Sequence, residues 1–160
     1  MGRRPGNRDR AVSEILDKPV KCSVAAVVRD RARPAAFLAV RRPPHDPELA
    51  LLWGLPAVSL KPGELPEAAL RRLGEEKLGA ELAARRFVGI RAADRGEYLL
   101  ILMDLEAVVV SGAPDVRRAR TTGTAYVEQQ WTTDLSLLIE AARHGSVCSR
   151  ILLEAEGVRY

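Results

Sequence analysis

The chain has 160 residues, 47% of them apolar and 29% charged, with a formal net charge of +4. That length is enough for one domain with its own core, and the composition excludes an intrinsically disordered chain. Aromatic residues make up only 4%, so the core falls to Leu, Val, Ile and Ala.

The two cysteines, Cys22 and Cys148, lie far apart in apolar contexts and read as buried free thiols of a reducing compartment, with a disulfide as the alternative. No CxxC or His/Cys cluster suggests zinc. Arginine pairs such as Arg3-Arg4, Arg41-Arg42, Arg71-Arg72 and Arg117-Arg118 favour anionic partners, phosphates in particular. No helix-turn-helix, zinc finger or aromatic-interleaved RNA motif accompanies them, so nucleic acid is not the expected partner. The longest apolar run, Tyr98 to Val110, is broken by Asp104 and Glu106 and is too short to span a bilayer. The basic N-terminus lacks the apolar stretch of a secretory signal. A cytoplasmic protein without a membrane partner is expected.

In chain order, residues 1–18 form a basic segment expected to be mobile, with a short helical turn at Ala11 to Leu16, and residues 19–160 form one domain. Val20 to Val28 reads as a buried strand and Ala35 to Arg41 as its antiparallel neighbour. Arg42 to Leu52 carries three prolines, His45 and Asp46, and reads as a loop. Pro62-Gly63-Glu64 is a turn. Pro66 suits the first turn of a helix that runs to about Leu78, and Gly79 suits its left-handed closure. A strand around Arg86 to Arg91, the Arg95-Gly96 turn and a long strand from Tyr98 to Val110 follow. Ser111 to Thr122 reads as a loop and Thr124 to Trp131 as a last strand. Asp134 caps a helix from Leu135 to His144, and Ser146 opens another from Val147 to Glu156. Strands, a helix, more strands, then helices, without a βα repeat, indicate an α+β sandwich.

The stretch from Trp53 to Ala80 carries the motif. With Glu64 as its first glutamate, Arg72, Glu76 and Gly79 fall without gaps at the spacing of the Nudix box, a glycine, five residues, a glutamate, seven residues, then Arg-Glu-apolar-x-Glu-Glu-x-Gly-apolar. Trp53-Gly54-Leu55-Pro56 matches the usual lead-in, and Val127 to Trp131 a late glutamate-to-tryptophan segment. The chain therefore resembles the Nudix hydrolases over roughly residues 20–145. The resemblance implies an α/β/α sandwich with a mixed sheet on which the box helix packs. It implies hydrolysis of a nucleoside diphosphate linked to another group, or of a related phosphorylated metabolite, with Mg2+ or Mn2+ as cofactor. If a metal site survives, Glu76, Glu64 and Glu128 are its candidate ligands, with Glu76 and Glu128 catalytic. Arg41 and Arg42, at a strand end facing the expected cleft, are candidates for holding phosphate, with solvated surface as the alternative; Arg72 and Trp53 are further substrate candidates, Trp53 reading otherwise as core or pocket wall.

The box also departs from the pattern. Val58 stands at its opening glycine, Leu73 at the glutamate after the arginine, Gly74 at the next apolar position, and Lys77 at the second paired glutamate. Positions 73, 76 and 77 share a helix face and in the family hold a divalent ion, which seeks several oxygen ligands. Here one carboxylate remains and a lysine stands beside it. Two readings follow: a divalent-metal-dependent pyrophosphohydrolase with a rearranged metal site, or a non-catalytic Nudix-fold domain that binds or senses a nucleotide or metabolite. A slide by one residue, pairing Glu75 with Glu76, would displace Glu64, Arg72 and Gly79. As a plain amphipathic helix, the segment offers Leu65, Ala69 and Leu73 as an apolar stripe and Arg72–Glu76 as an ion pair. A homodimer is compatible with the C-terminal helices and basic surface.

Overall fold

The computed structural model describes residues 17–160, so the helical turn expected at Ala11 to Leu16 lies outside the described residues. Strand β1 (Val20–Arg29) runs up the middle of a mixed sheet that also contains β2 (Phe37–Arg41), β3 (Trp53–Gly54), β4 (Ala57–Ser59), β5 (Glu81–Asp94), β6 (Leu99–Ser111) and β7 (Glu128–Thr132). The order is β3-β2-β1-β6-β5, with β4 paired to β1 and β7 to β2. Only β1 and β6 are parallel among these pairs, running in register from Val20–Leu99 to Arg29–Val108. The remaining pairs are antiparallel.

The apolar run of β1 is continuous because both of its faces are covered. Val24, Ala26 and Val28 point to one face, where they pack with Ala69, Leu70 and Leu73 of α1 (Pro66–Leu73). Ala25 and Val27 point to the other, beneath α2 (Ile139–Arg143) and α3 (Val147–Ala155). Helices on both faces of a mixed sheet make the α+β sandwich that the Nudix resemblance implied.

Several elements differ from expectation for local physical reasons. The box helix is not one α-helix: it turns into a single π-helical stretch at Gly74–Leu78. A side chain at Gly74 would meet the Ala80 carbonyl oxygen at 2.5 Å and Leu82 Cγ at 2.7 Å, so this glycine is where the helix presses on β5. Gly79, at φ 60°, then closes the helix, its N–H donating to the Gly74 carbonyl. The carbonyls left over at this end are met by the following loop: Asp115 N–H donates to Leu78 O at 2.8 Å and Arg120 N–H to Glu76 O at 2.6 Å. Leu65 is 69% exposed and lies off the apolar stripe, which is Ala69, Leu70 and Leu73.

The last strand is shorter than expected. Thr124 to Val127 lies outside it, and Tyr126 turns inward instead. Residues Leu135–Leu138 form a 3-10 turn before α2 rather than its first turn, with Asp134 accepting from Ser136 N–H. Cys148 is buried as expected, but Cys22 is exposed near the start of β1, before that strand enters the core.

Candidate functional site

The Pro62-Gly63-Glu64 turn is held from inside: Glu64 N–H donates to Lys61 O at 3.0 Å, and the Glu64 carboxylate accepts from Lys61 N–H at 3.1 Å. Gly63, at φ 74°, supplies the left-handed step. The same carboxylate meets the guanidinium of Arg72 two turns up the helix, at 3.0 Å from Nε and 2.8 Å from Nη2. Arg72 also donates to Ser59 O at 2.7 Å and reaches Glu76 at 3.3 Å. This planar fork clamps the turn, β4 and the helix together. The hydrogen bond from Arg72 is the main reason the Glu64 carboxyl is pulled down to about 2, helped by the Lys61 N–H.

One turn beyond, Lys77 is 6% exposed. Its Nζ donates to the Ala57 carbonyl at 2.7 Å and lies 5.2 Å from the centre of the Tyr126 ring. Tyr126 is fixed in turn, because its hydroxyl accepts from Ala57 N–H at 2.9 Å. Burial, with the nearby Arg42 and Arg72 cations adding to it, lowers the Lys77 ammonium to about 8, and burial raises the Tyr126 phenol to about 12.

These groups line a cavity of about 840 Å³ between the box and the loop at Arg120 to Thr124. Seven cationic side chains border it: Lys21, Arg42, Lys61, Arg72, Lys77, Arg95 and Arg120, against the carboxylates Glu48 and Glu76. Tyr98, with Lys21 stacked 5.5 Å from its ring centre, forms part of the opposite wall. Such a surface favours negative charge in the solvent before it.

The structure brings Glu64, Arg72 and Glu76 together, and it places Arg42 on the same cavity, where it pairs with Asp46 at 3.0 Å. Asp46 also accepts from Glu48 N–H and Leu49 N–H, which ties down the loop after β2. Glu128 lies elsewhere. It faces a separate hollow of about 460 Å³ with Trp53 and the 3-10 turn at Val116–Arg118, and it pairs with Arg41 at 3.1 Å. Arg41 also donates to Leu51 O at 2.9 Å. The sequence does not mark out Tyr126: a lone tyrosine within the strand expected at Thr124 to Trp131 carries no distinguishing pattern.

The donor set does not fit the divalent ion that the fold implies. Leu73 is fully buried against β1, both Glu64 oxygens accept from Arg72, and Lys77 puts an ammonium on the same cavity wall as Glu76. Among the described residues, no three His, Cys, Asp or Glu side chains gather in metal-holding geometry.

Sheet, helices and box together define a Nudix-type fold, and the model of the NUDIX domain matches residues 20–127. The chain belongs to the NUDIX family. In structure it is similar to the MutT protein of Methanosarcina mazei Go1, with a TM-score of 0.67 and 20% identity over 89% of this chain and 96% of that one. It is similar to a NUDIX hydrolase of Nitrosomonas europaea, with a TM-score of 0.66 and 26% identity over 89% and 93%. It is also similar to an ADP-ribose pyrophosphatase of Streptococcus suis, with a TM-score of 0.55 and 15% identity over 88% and 92%. None of the curated proteins matches it in sequence.

Proposed function

We propose that the chain binds a phosphorylated small molecule of nucleotide type in the 840 Å³ cavity, as a NUDIX domain that does not cut its ligand by the family's usual metal mechanism. The observation that carries this is the charge of the wall: seven cationic side chains against two carboxylates, with the box carboxylates absent from positions 73 and 77. A phosphate chain satisfies such a wall, and a bare divalent cation is repelled by it. The second reading, hydrolysis through a rearranged site, draws on Glu76, whose carboxylate still lines the cavity.

Differential scanning fluorimetry with ADP-ribose, chosen because one similar structure is of an ADP-ribose pyrophosphatase, tests the binding. The melting temperature is expected to rise with ligand concentration. Incubation of the same mixture with Mg2+ or Mn2+, followed by chromatography for AMP and ribose phosphate, separates the readings. A thermal shift without products supports binding. Sustained turnover dependent on metal replaces it with the hydrolase, and no shift and no turnover across a panel of nucleoside diphosphates rejects both.

A further inference from the structure

A buried cation needs a partner. Removing an ammonium from water costs several kcal/mol unless an anion or a full set of acceptors meets it. The other cations deep in the cavity wall have carboxylates: Arg72 has Glu64 and Glu76, and Arg42 has Asp46. Lys77 forms no ion pair among the described residues. Its ammonium has the neutral Ala57 carbonyl and the face of Tyr126, and it borders the cavity. An ammonium carries three N–H donors, and the Ala57 carbonyl accepts one of them. The chain's own fold thus holds a positive charge, rigidly supported from behind, at the box position that the Nudix pattern gives to a carboxylate.

Taking the cavity as an anion site, as proposed above, we infer that Lys77 is the fixed cation that meets the ligand's phosphate groups, in the place of a divalent metal. Its partners suit the role. The Tyr126 hydroxyl is held by Ala57 N–H, and the Ala57 carbonyl holds Lys77, so the ammonium is aimed before ligand arrives. Phosphate recognition is then metal-independent, and Glu76, on the same cavity wall, is already joined to Arg72.

Isothermal titration with inorganic pyrophosphate and with ADP-ribose, in EDTA and again in Mg2+, tests the assignment. Wild-type affinity is expected to be the same in both buffers. Lys77→Met is expected to weaken binding about tenfold or more, the size of a lost charged hydrogen bond, while its near-UV spectrum stays that of wild type. Lys77→Arg is expected to keep most of the affinity. Wild-type binding that disappears in EDTA overturns the inference, and so does Lys77→Met binding as tightly as wild type.

Electron paramagnetic resonance of free Mn2+ supplies a readout that needs no ligand. Wild type is expected to leave Mn2+ free, and a Mn2+ site in wild type overturns the inference. Lys77→Glu, which sets a second carboxylate beside Glu76, is expected to gain Mn2+ binding. Failure of wild type to bind either anion in either buffer removes the anion-site reading itself. Anion binding that Lys77→Met leaves intact removes only the role of Lys77.

Discussion

Lys77 and Asp104 are both ionisable side chains taken out of water, on opposite faces of the same sheet. Lys77 sits on the box side with an acceptor at 2.7 Å and an aromatic ring beside it. Asp104, in β6, follows Leu100 and Leu102 onto the side covered by α3, and neither of its carboxylate oxygens has a hydrogen-bond partner among the described residues. Burial pushes its carboxyl well above the usual range, because a charge there would have no water and no partner. The difference shows two ways for a fold to tolerate a buried charge. One group keeps its charge because the backbone and a ring receive it, and it faces a cavity. The other is pushed toward its protonated form by burial, and it faces packed apolar side chains.

The comparison breaks most severely if an unsupported charge is placed on the box side. Leu73→Glu restores the box residue by type, yet it buries a carboxylate against β1, where Leu73 is fully enclosed. The expected cost is about 3–5 kcal/mol, read as a collapse of the urea midpoint or as insoluble protein. Gly74→Ala attacks the same region through shape. Its Cβ would meet Ala80 O at 2.5 Å, displacing the π turn that carries Lys77, at an expected cost of about 1–3 kcal/mol in urea unfolding.

Asp104→Asn has the opposite sign. The folded state holds a proton on Asp104 more tightly than the unfolded chain does, so the variant is expected to be more stable than the parent at pH 7. A carboxyl raised in the folded state contributes most below its unfolded value, near 3.8, and that contribution is lost as pH rises through the folded value. The gain from Asp104→Asn is therefore expected to vanish near pH 3 and to grow toward pH 7. Urea midpoints of both proteins across that range check it, and a gain independent of pH contradicts it. Other carboxylates run the other way: Glu64, lowered to about 2, stabilises above its unfolded value and loses that contribution as acid protonates it. The difference between variant and parent removes this common background.

The smallest effect sharpens the Lys77 side. Tyr126→Phe removes the hydroxyl that receives Ala57 N–H and leaves the ring under the ammonium, with an expected cost of about 1 kcal/mol in chemical denaturation. A cost near zero would show that Ala57 is held in place without it.

Local chemistry in the sequence determined much of the scaffold. The continuous apolar run of β1, Pro66 at a helix start, Gly63 in a turn and Gly79 at a left-handed closure each follow from backbone or burial rules that act within a few residues. The spacing of Arg72 and Glu76 likewise announced their ion pair, since four residues return to one side of a helix, whereas the grip of Arg72 on Glu64 appeared only in the fold.

Contacts between distant segments decided the rest. The break into a π turn comes from Gly74 pressing on Ala80 and Leu82, which no local propensity reveals. The separation of Glu128 from Glu76 comes from β7 pairing with β2, which sets Arg41 opposite Glu128. The site of Lys77 depends on Ala57 and Tyr126, twenty and forty-nine positions away in the chain. Lysine in the box was visible in the sequence. A carbonyl and an aromatic ring converge to bury its ammonium at a cavity wall because three separate segments meet there, and only the tertiary fold brings them together.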